Sequence, residues 1–155
     1  MSTFSELVPP TTDRVPRHTD DNINERIIRQ TESNVRHYAV DPRLIDMRLK
    51  ELDREWDIER ALEANAAAIS LIGLLLGRLV NRRWYVLPAA VATFLLQHAV
   101  QGWCPPVGLF RRLGVRTQRE IDEERYALKV IRGDFDAVDR QERQPVHEIM
   151  EAIRR

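Results

Sequence analysis

"ANAAAISLIGLLLGRLVNRRWYVLPAAVATFLLQHAVQGWCPP", Ala64 to Pro106, decides how this chain folds. No Asp, Glu, Lys or Arg falls from Ala64 to Gly77 or from Trp84 to Phe110, although 31% of the chain is charged. The first run has 14 residues. As a helix it is about 21 Å long, below the roughly 17 to 25 residues of a usual membrane span. Arg78 extends the usable stretch to Val80, because its aliphatic stem can carry the charge outward. The second run follows the short loop "NRRWY" and has 27 residues. Pro88 fits the first turn of a helix there, and Gly102, Pro105 and Pro106 end it, leaving about 15 to 18 helical residues. Trp84 and Tyr85 bracket one end, Trp103 and Phe110 the other, where aromatic rings favour the lipid headgroup region. Two short, matched runs of this kind predict a transmembrane helical hairpin.

The flanks orient it. Five Lys and Arg precede the first span (Arg43, Arg48, Lys50, Arg54, Arg60), six follow the second (Arg111, Arg112, Arg116, Arg119, Arg125, Lys129), and the loop has Arg78, Arg82 and Arg83. This excess places both termini in the cytoplasm. A formal net charge of +0 gives no bulk attraction to nucleic acid. The single cysteine, Cys104, permits no intramolecular disulfide and no zinc-ligand spacing. There is no Gly-rich phosphate loop, no His pair at metal spacing and no serine elbow, so no catalytic residue, metal or cofactor is expected. The first 21 residues, polar and bearing Pro9, Pro10 and Pro16, read as a mobile arm without a secretory signal pattern.

A helix is expected from Asn22, with Asn22 and Glu25 as a capping box and Ile23, Ile27 and Val35 on a thin apolar stripe. Asp41 and Pro42 start another. No glycine or proline follows until Gly73, so the sequence predicts one helix from about Pro42 to Val80, the first span continuous with the charged helix before it. Its stripe keeps a heptad-like spacing: Ile45, Leu49, Leu52 and Trp56, then Glu59 and Glu63, then Ala66, Ser70, Gly73 and Gly77. The first part suits a coiled coil in water, and the small residues suit close helix contact in a bilayer. "GLLLG", Gly73 to Gly77, is a G-x-x-x-G motif, so self-association through this face, a dimer first, is one expectation. The other is that the same residues pack on the chain's own second span, against Ala89, Ala92 or Ala99.

Gln97, His98 and Gln101 are the polar residues of the second span. Gln97, Gln101 and Cys104 share a face if the helix persists. They read either as interhelical hydrogen bonds or as a polar lining for a small solute, with His98 titrating near neutrality. Glu59 and Glu63 stand at the membrane edge and need cations, for which Arg111 and Arg112 are the candidates. "GWCPP", Gly102 to Pro106, reads as a corner in which Cys104 is structural. Beyond it, Thr117 and Glu120 begin a helix stopped at Gly133, with Ile121, Leu128 and Ile131 on its apolar face, and a short last helix starts at Pro145. The organisation expected is an arm (1–21), cytoplasmic charged helices (22–63), the hairpin (64–110) and cytoplasmic C-terminal helices (111–155), all-α throughout.

From Glu59 to Val115, about 57 of the 155 residues, the chain resembles the transmembrane domain of the bacterial inner-membrane YgaP-like family, found there after a rhodanese domain. The matching features are "ER" and "N" leading into a Gly-rich first span, a short loop, and a second span ending in Gly102, Trp103, Cys104 and Pro105 with "LGV" after it. The resemblance implies a helical hairpin, a homodimer and cytoplasmic termini in the inner membrane. No rhodanese domain accompanies it here, so sulfur transfer would need a partner to deliver persulfide to Cys104. Three functions follow as expectations: a non-enzymatic oligomeric anchor or scaffold for partner proteins, a membrane thiol relay or solute conduit using Cys104, His98 and Gln101, and a soluble helical interaction module.

Overall fold

A computed structural model of the protein describes residues 9–136 and 146–154, and among them every regular element is helical. Helix α1 runs Asp21–Tyr38, α2 Pro42–Leu52, α3 Ile58–Leu79, α4 Val86–Gln101, α5 Pro105–Arg112, α6 Gln118–Arg132 and α7 Val146–Arg154. Short 3₁₀ turns occupy Pro16–His18 and Arg82–Tyr85. The chain divides into two compact units, Met1–Ile27 with Trp56–Arg119 and Ile28–Glu55 with Glu120–Arg155. This grouping differs from the four-part order expected from sequence. Residues on both sides of the apolar hairpin join it, for the packing reasons below.

The predicted unbroken helix from Pro42 to Val80 is interrupted. Helix α2 starts as expected, with the Asp41 side chain accepting from the Arg43 N–H at 2.8 Å and Pro42 in the first turn. The Arg43 side chain and N–H together hold the Asp41 carboxyl below its ordinary pKa. The helix ends at Leu52, and a second start signal takes over five residues later. Asp57 adopts an extended conformation and caps α3 by accepting from the Arg60 N–H at 3.0 Å. The Ile58 N–H donates to the Arg116 carbonyl at 2.8 Å, and Ile58 is fully buried. An aspartate cap and a tertiary bond thus break the helix without glycine or proline.

In the second unit the first half of the stripe closes a core. Ile45, Leu49 and Leu52 from α2 are buried with Ile121 and Leu128 from α6, and Val35 and Tyr38 from α1 pack against them. Glu124, fully buried, accepts from Arg48 Nε at 2.7 Å and from Asn34 Nδ2 at 3.3 Å. Burial works against the Arg48 charge, but the Glu124, Glu51 and Glu55 carboxylates outweigh it and raise the guanidinium's pKa. A buried ion is tolerable only with such partners. Arg48 also lies over the Tyr38 ring, 5.4 Å from its centroid. Helix α6 ends at Gly133, in the left-handed region at φ +87°, as the sequence predicts. Helix α7 is present from Val146, and Pro145 lies outside the described residues.

In the first unit α3 and α4 form an antiparallel hairpin. Asn81 caps the turn between them by accepting from the Arg83 N–H at 2.9 Å. Pro88 sits in the first turn of α4, and Gly102, at φ +80°, ends it. A Cβ on Gly102 would also stand 2.5 Å from the Arg14 backbone, so neither its conformation nor its surroundings admit a side chain. The two prolines behave differently from the expectation. They do not merely stop a helix: Pro105 and Pro106 are the first residues of α5, where a missing N–H costs nothing.

The arm is also corrected where it is described. Val15 is 2% exposed and belongs to a core with Ile58, Leu62, Cys104 and Val107. Thr19 is buried, and its hydroxyl donates to the Val15 carbonyl at 2.9 Å. Residues 1–8 of the arm lie outside the described residues. Helix α1 begins at Asp21, one residue before the predicted cap Asn22.

Candidate functional site

The hairpin unit holds most of the residues singled out in the sequence, and its two helices sort them in an unusual way. Gly73 and Gly77 are buried, while Leu71, Ile72, Leu74 and Leu75 on the same helix are exposed. A Cβ on Gly73 would stand 2.6 Å from Pro88 Cδ, and one on Gly77 would stand 2.6 Å from the Tyr85 ring. The glycine face is therefore occupied by the chain's own second helix and turn. The intramolecular alternative holds, with Tyr85, Leu87 and Pro88 in place of Ala89, Ala92 and Ala99. Ala66 and Ser70, both half-buried, continue the face. Trp56 does not: it is 51% exposed, with the Arg60 guanidinium 4.5 Å from its ring centroid. The single stripe of the sequence is two, one closing the α2–α6 core and one facing α4.

Of the described helices, α3 is long and apolar enough to cross a membrane, with 22 residues. Its most apolar stretch is only 17% buried. Helix α4 has 16 residues, about 24 Å, and is shorter than the usual range. Its outer residues, among them Val86, Leu96 and Val100, are exposed as well.

At the base of the hairpin the predicted charge pairing is rearranged. Glu59 accepts from Arg14 Nη2 at 2.7 Å through one oxygen and lies 2.8 Å from His98 Nε2 through the other. Arg14 Nη1 also donates to the Ala99 carbonyl at 3.1 Å, one of the last carbonyls of α4 that the helix leaves open. Arg111 turns elsewhere: it is buried and donates to Asn24 Oδ1 at 2.9 Å, Thr19 Oγ1 at 3.2 Å and the Val115 carbonyl at 3.2 Å. Arg112 is exposed, 3.9 Å from Asp20, and Glu63 is exposed. Arg14 had no local signal in the sequence, because it lies among prolines and polar residues. Only Val15 beside it, a lone apolar residue, hinted that this part of the arm packs.

The polar face of α4 is not assembled as a lining. His98 is 2% exposed and turned to Glu59, Gln97 is half-buried, and Gln101 is exposed. Cys104 is 4% exposed in the apolar cluster with Val15, Ile58 and Val107, and it occupies the cap position before α5. Trp103 beside it is exposed. Cys104 also closes one end of an apolar cavity of about 270 Å³ between α3 and α4, walled by Leu62, Ala66 and Ile69 on one side and Val91 and Phe94 on the other. Among the described residues no cluster of His, Cys, Asp and Glu could hold a metal ion.

Among the described residues these features define an all-helical arrangement with an outward-apolar hairpin. The chain matches no protein-family model, no curated protein and no solved structure.

Proposed function

We propose that this chain is a non-enzymatic membrane anchor, in which α3 and α4 cross the bilayer as a two-span hairpin and the charged helices present a surface to partner proteins. One observation carries the reading. Apart from Ile58 and Leu62 at the base, the buried residues of α3 and α4 are Gly73, Gly77 and His98, and the exposed ones include Leu71, Ile72, Leu75, Val86 and Leu96. A surface of that kind is a liability in water and is matched by hydrocarbon. Exposed Trp84 and Tyr85 at the turn and Trp103 at the base support it, standing where headgroups would lie. The YgaP-like resemblance from Glu59 to Val115 points the same way and adds a bacterial inner membrane with cytoplasmic termini. A homo-oligomer belongs to the proposal, but its seam is not the glycine face, which is filled.

Fractionation of expressing cells tests this reading. The protein is expected in the membrane pellet, resistant to high salt and released by detergent, with a mass in the micelle that reports the oligomer. Recovery in the supernatant without detergent would replace the anchor with a soluble helical interaction module.

A further inference from the structure

The hairpin turn carries charge that no described residue neutralises. Arg78 is in the last turn of α3, and Arg82 and Arg83 form the 3₁₀ turn; all three are exposed. Residues 64–119 contain no Asp or Glu, and among the described residues no carboxylate pairs with any of the three. The base of the hairpin differs, with Arg14 on Glu59 and Arg119 on Asp13 at 3.2 Å. The frame holding the three is fixed at both ends. Asn81 accepts from the Arg83 N–H through its side chain and from the Trp84 N–H, at 3.0 Å, through its carbonyl. The Tyr85 ring is seated on Gly77. A guanidinium presents a planar fork of donors that matches phosphate oxygens.

We propose that the turn is a phosphate-binding site for anionic lipid headgroups, to which Arg78, Arg82 and Arg83 donate while Trp84 and Tyr85 hold the turn at headgroup depth. This rests on the membrane-hairpin reading. The test is native mass spectrometry of the full chain in detergent, titrated with phosphatidylglycerol or phosphatidylcholine, alongside co-flotation on phosphatidylcholine vesicles. Phosphatidylglycerol is expected to be retained in preference. Arg78→Gln, Arg82→Gln and Arg83→Gln together should weaken it by about fivefold per arginine. The three Arg→Lys substitutions, which keep the charge but lose the planar fork, should restore only part of the preference, and every variant should still co-float. Equal phosphatidylglycerol binding by the triple Gln variant would overturn the site, and displacement of the lipid by equimolar inorganic phosphate would overturn its lipid occupant. Failure of the wild-type chain to co-float would overturn the anchor reading and the lipid occupant with it, whereas co-flotation without lipid preference would overturn the phosphate site alone.

Discussion

The α2–α6 core and the α3–α4 hairpin bury opposite kinds of side chain. In the first, Ile45, Leu52, Ile121 and Leu128 are inside, and charged residues such as Arg43 and Arg125 lie toward water or in ion pairs. In the second, Ile58 and Leu62 are inside only at the base of α3; the other buried residues of the two helices are Gly73, Gly77 and His98, and Leu71, Leu74, Leu75 and Leu96 are outside. The hydrophobic effect accounts for the first arrangement, since each large apolar side chain removed from water contributes roughly 1.5 to 3 kcal/mol. It gives no account of the second in water. There the helices gain close backbone contact and the pairing of His98 Nε2 with Glu59, the kinds of term that remain when the solvent is itself hydrocarbon. If the hairpin is the membrane anchor proposed above, two solvents, one for the α2–α6 core and one for the hairpin, explain both arrangements by the same physics.

Substitutions should therefore cost most where a buried charge loses its partner and least on the outer face of the hairpin. Arg48→Ala removes the guanidinium that donates to both oxygens of buried Glu124, and is expected to destabilise the second unit by about 3–5 kcal/mol in chemical denaturation. Gly77→Leu drives a side chain into the Tyr85 ring and should cost about 1–3 kcal/mol, with α3 and α4 separating at the turn in cysteine crosslinking. Glu59→Gln weakens the links to Arg14 and His98. The carboxylate is partly exposed, so the loss is about 1 kcal/mol, seen as earlier proteolysis of the N-terminal segment. Leu75→Ala, on the exposed face, should change stability in detergent by less than about 0.5 kcal/mol. A Leu75→Ala cost as large as that of Arg48→Ala would mean that this face is a core, and the comparison would fail.

The sequence showed the hairpin clearly because its signals are local. Two uncharged runs, Pro88 in a first turn, and Gly102 as a helix stop need no knowledge of distant residues. The break at Asp57 was hidden because its cap competes with good helix formers on both sides, and because the Ile58 N–H finds its partner at Arg116, far along the chain. The glycine face read correctly as a close-contact surface. Its partner was open, since spacing alone does not distinguish a neighbouring chain from the chain's own Leu87 and Pro88. The base cluster was half legible. Glu59 needed a cation, yet the cation is Arg14 rather than Arg111, and Arg14 is 45 residues away in a stretch without periodicity. Cys104 reads as a structural corner and is buried in the structure, though the two prolines read from sequence only as a helix stop and not as the start of α5.

On the proposed reading, lipid covers the leucine face of α3. Spin labels attached through Leu75→Cys and, separately, Arg82→Cys, each in a Cys104→Ser background and reconstituted in vesicles, test it most directly through their collision with oxygen and with an aqueous nickel complex. The account predicts that the label at position 75 collides with lipid-dissolved oxygen and not with nickel, and that the label at position 82 is reached by nickel. A label at 75 that is open to nickel, or closed to both reagents, would contradict it.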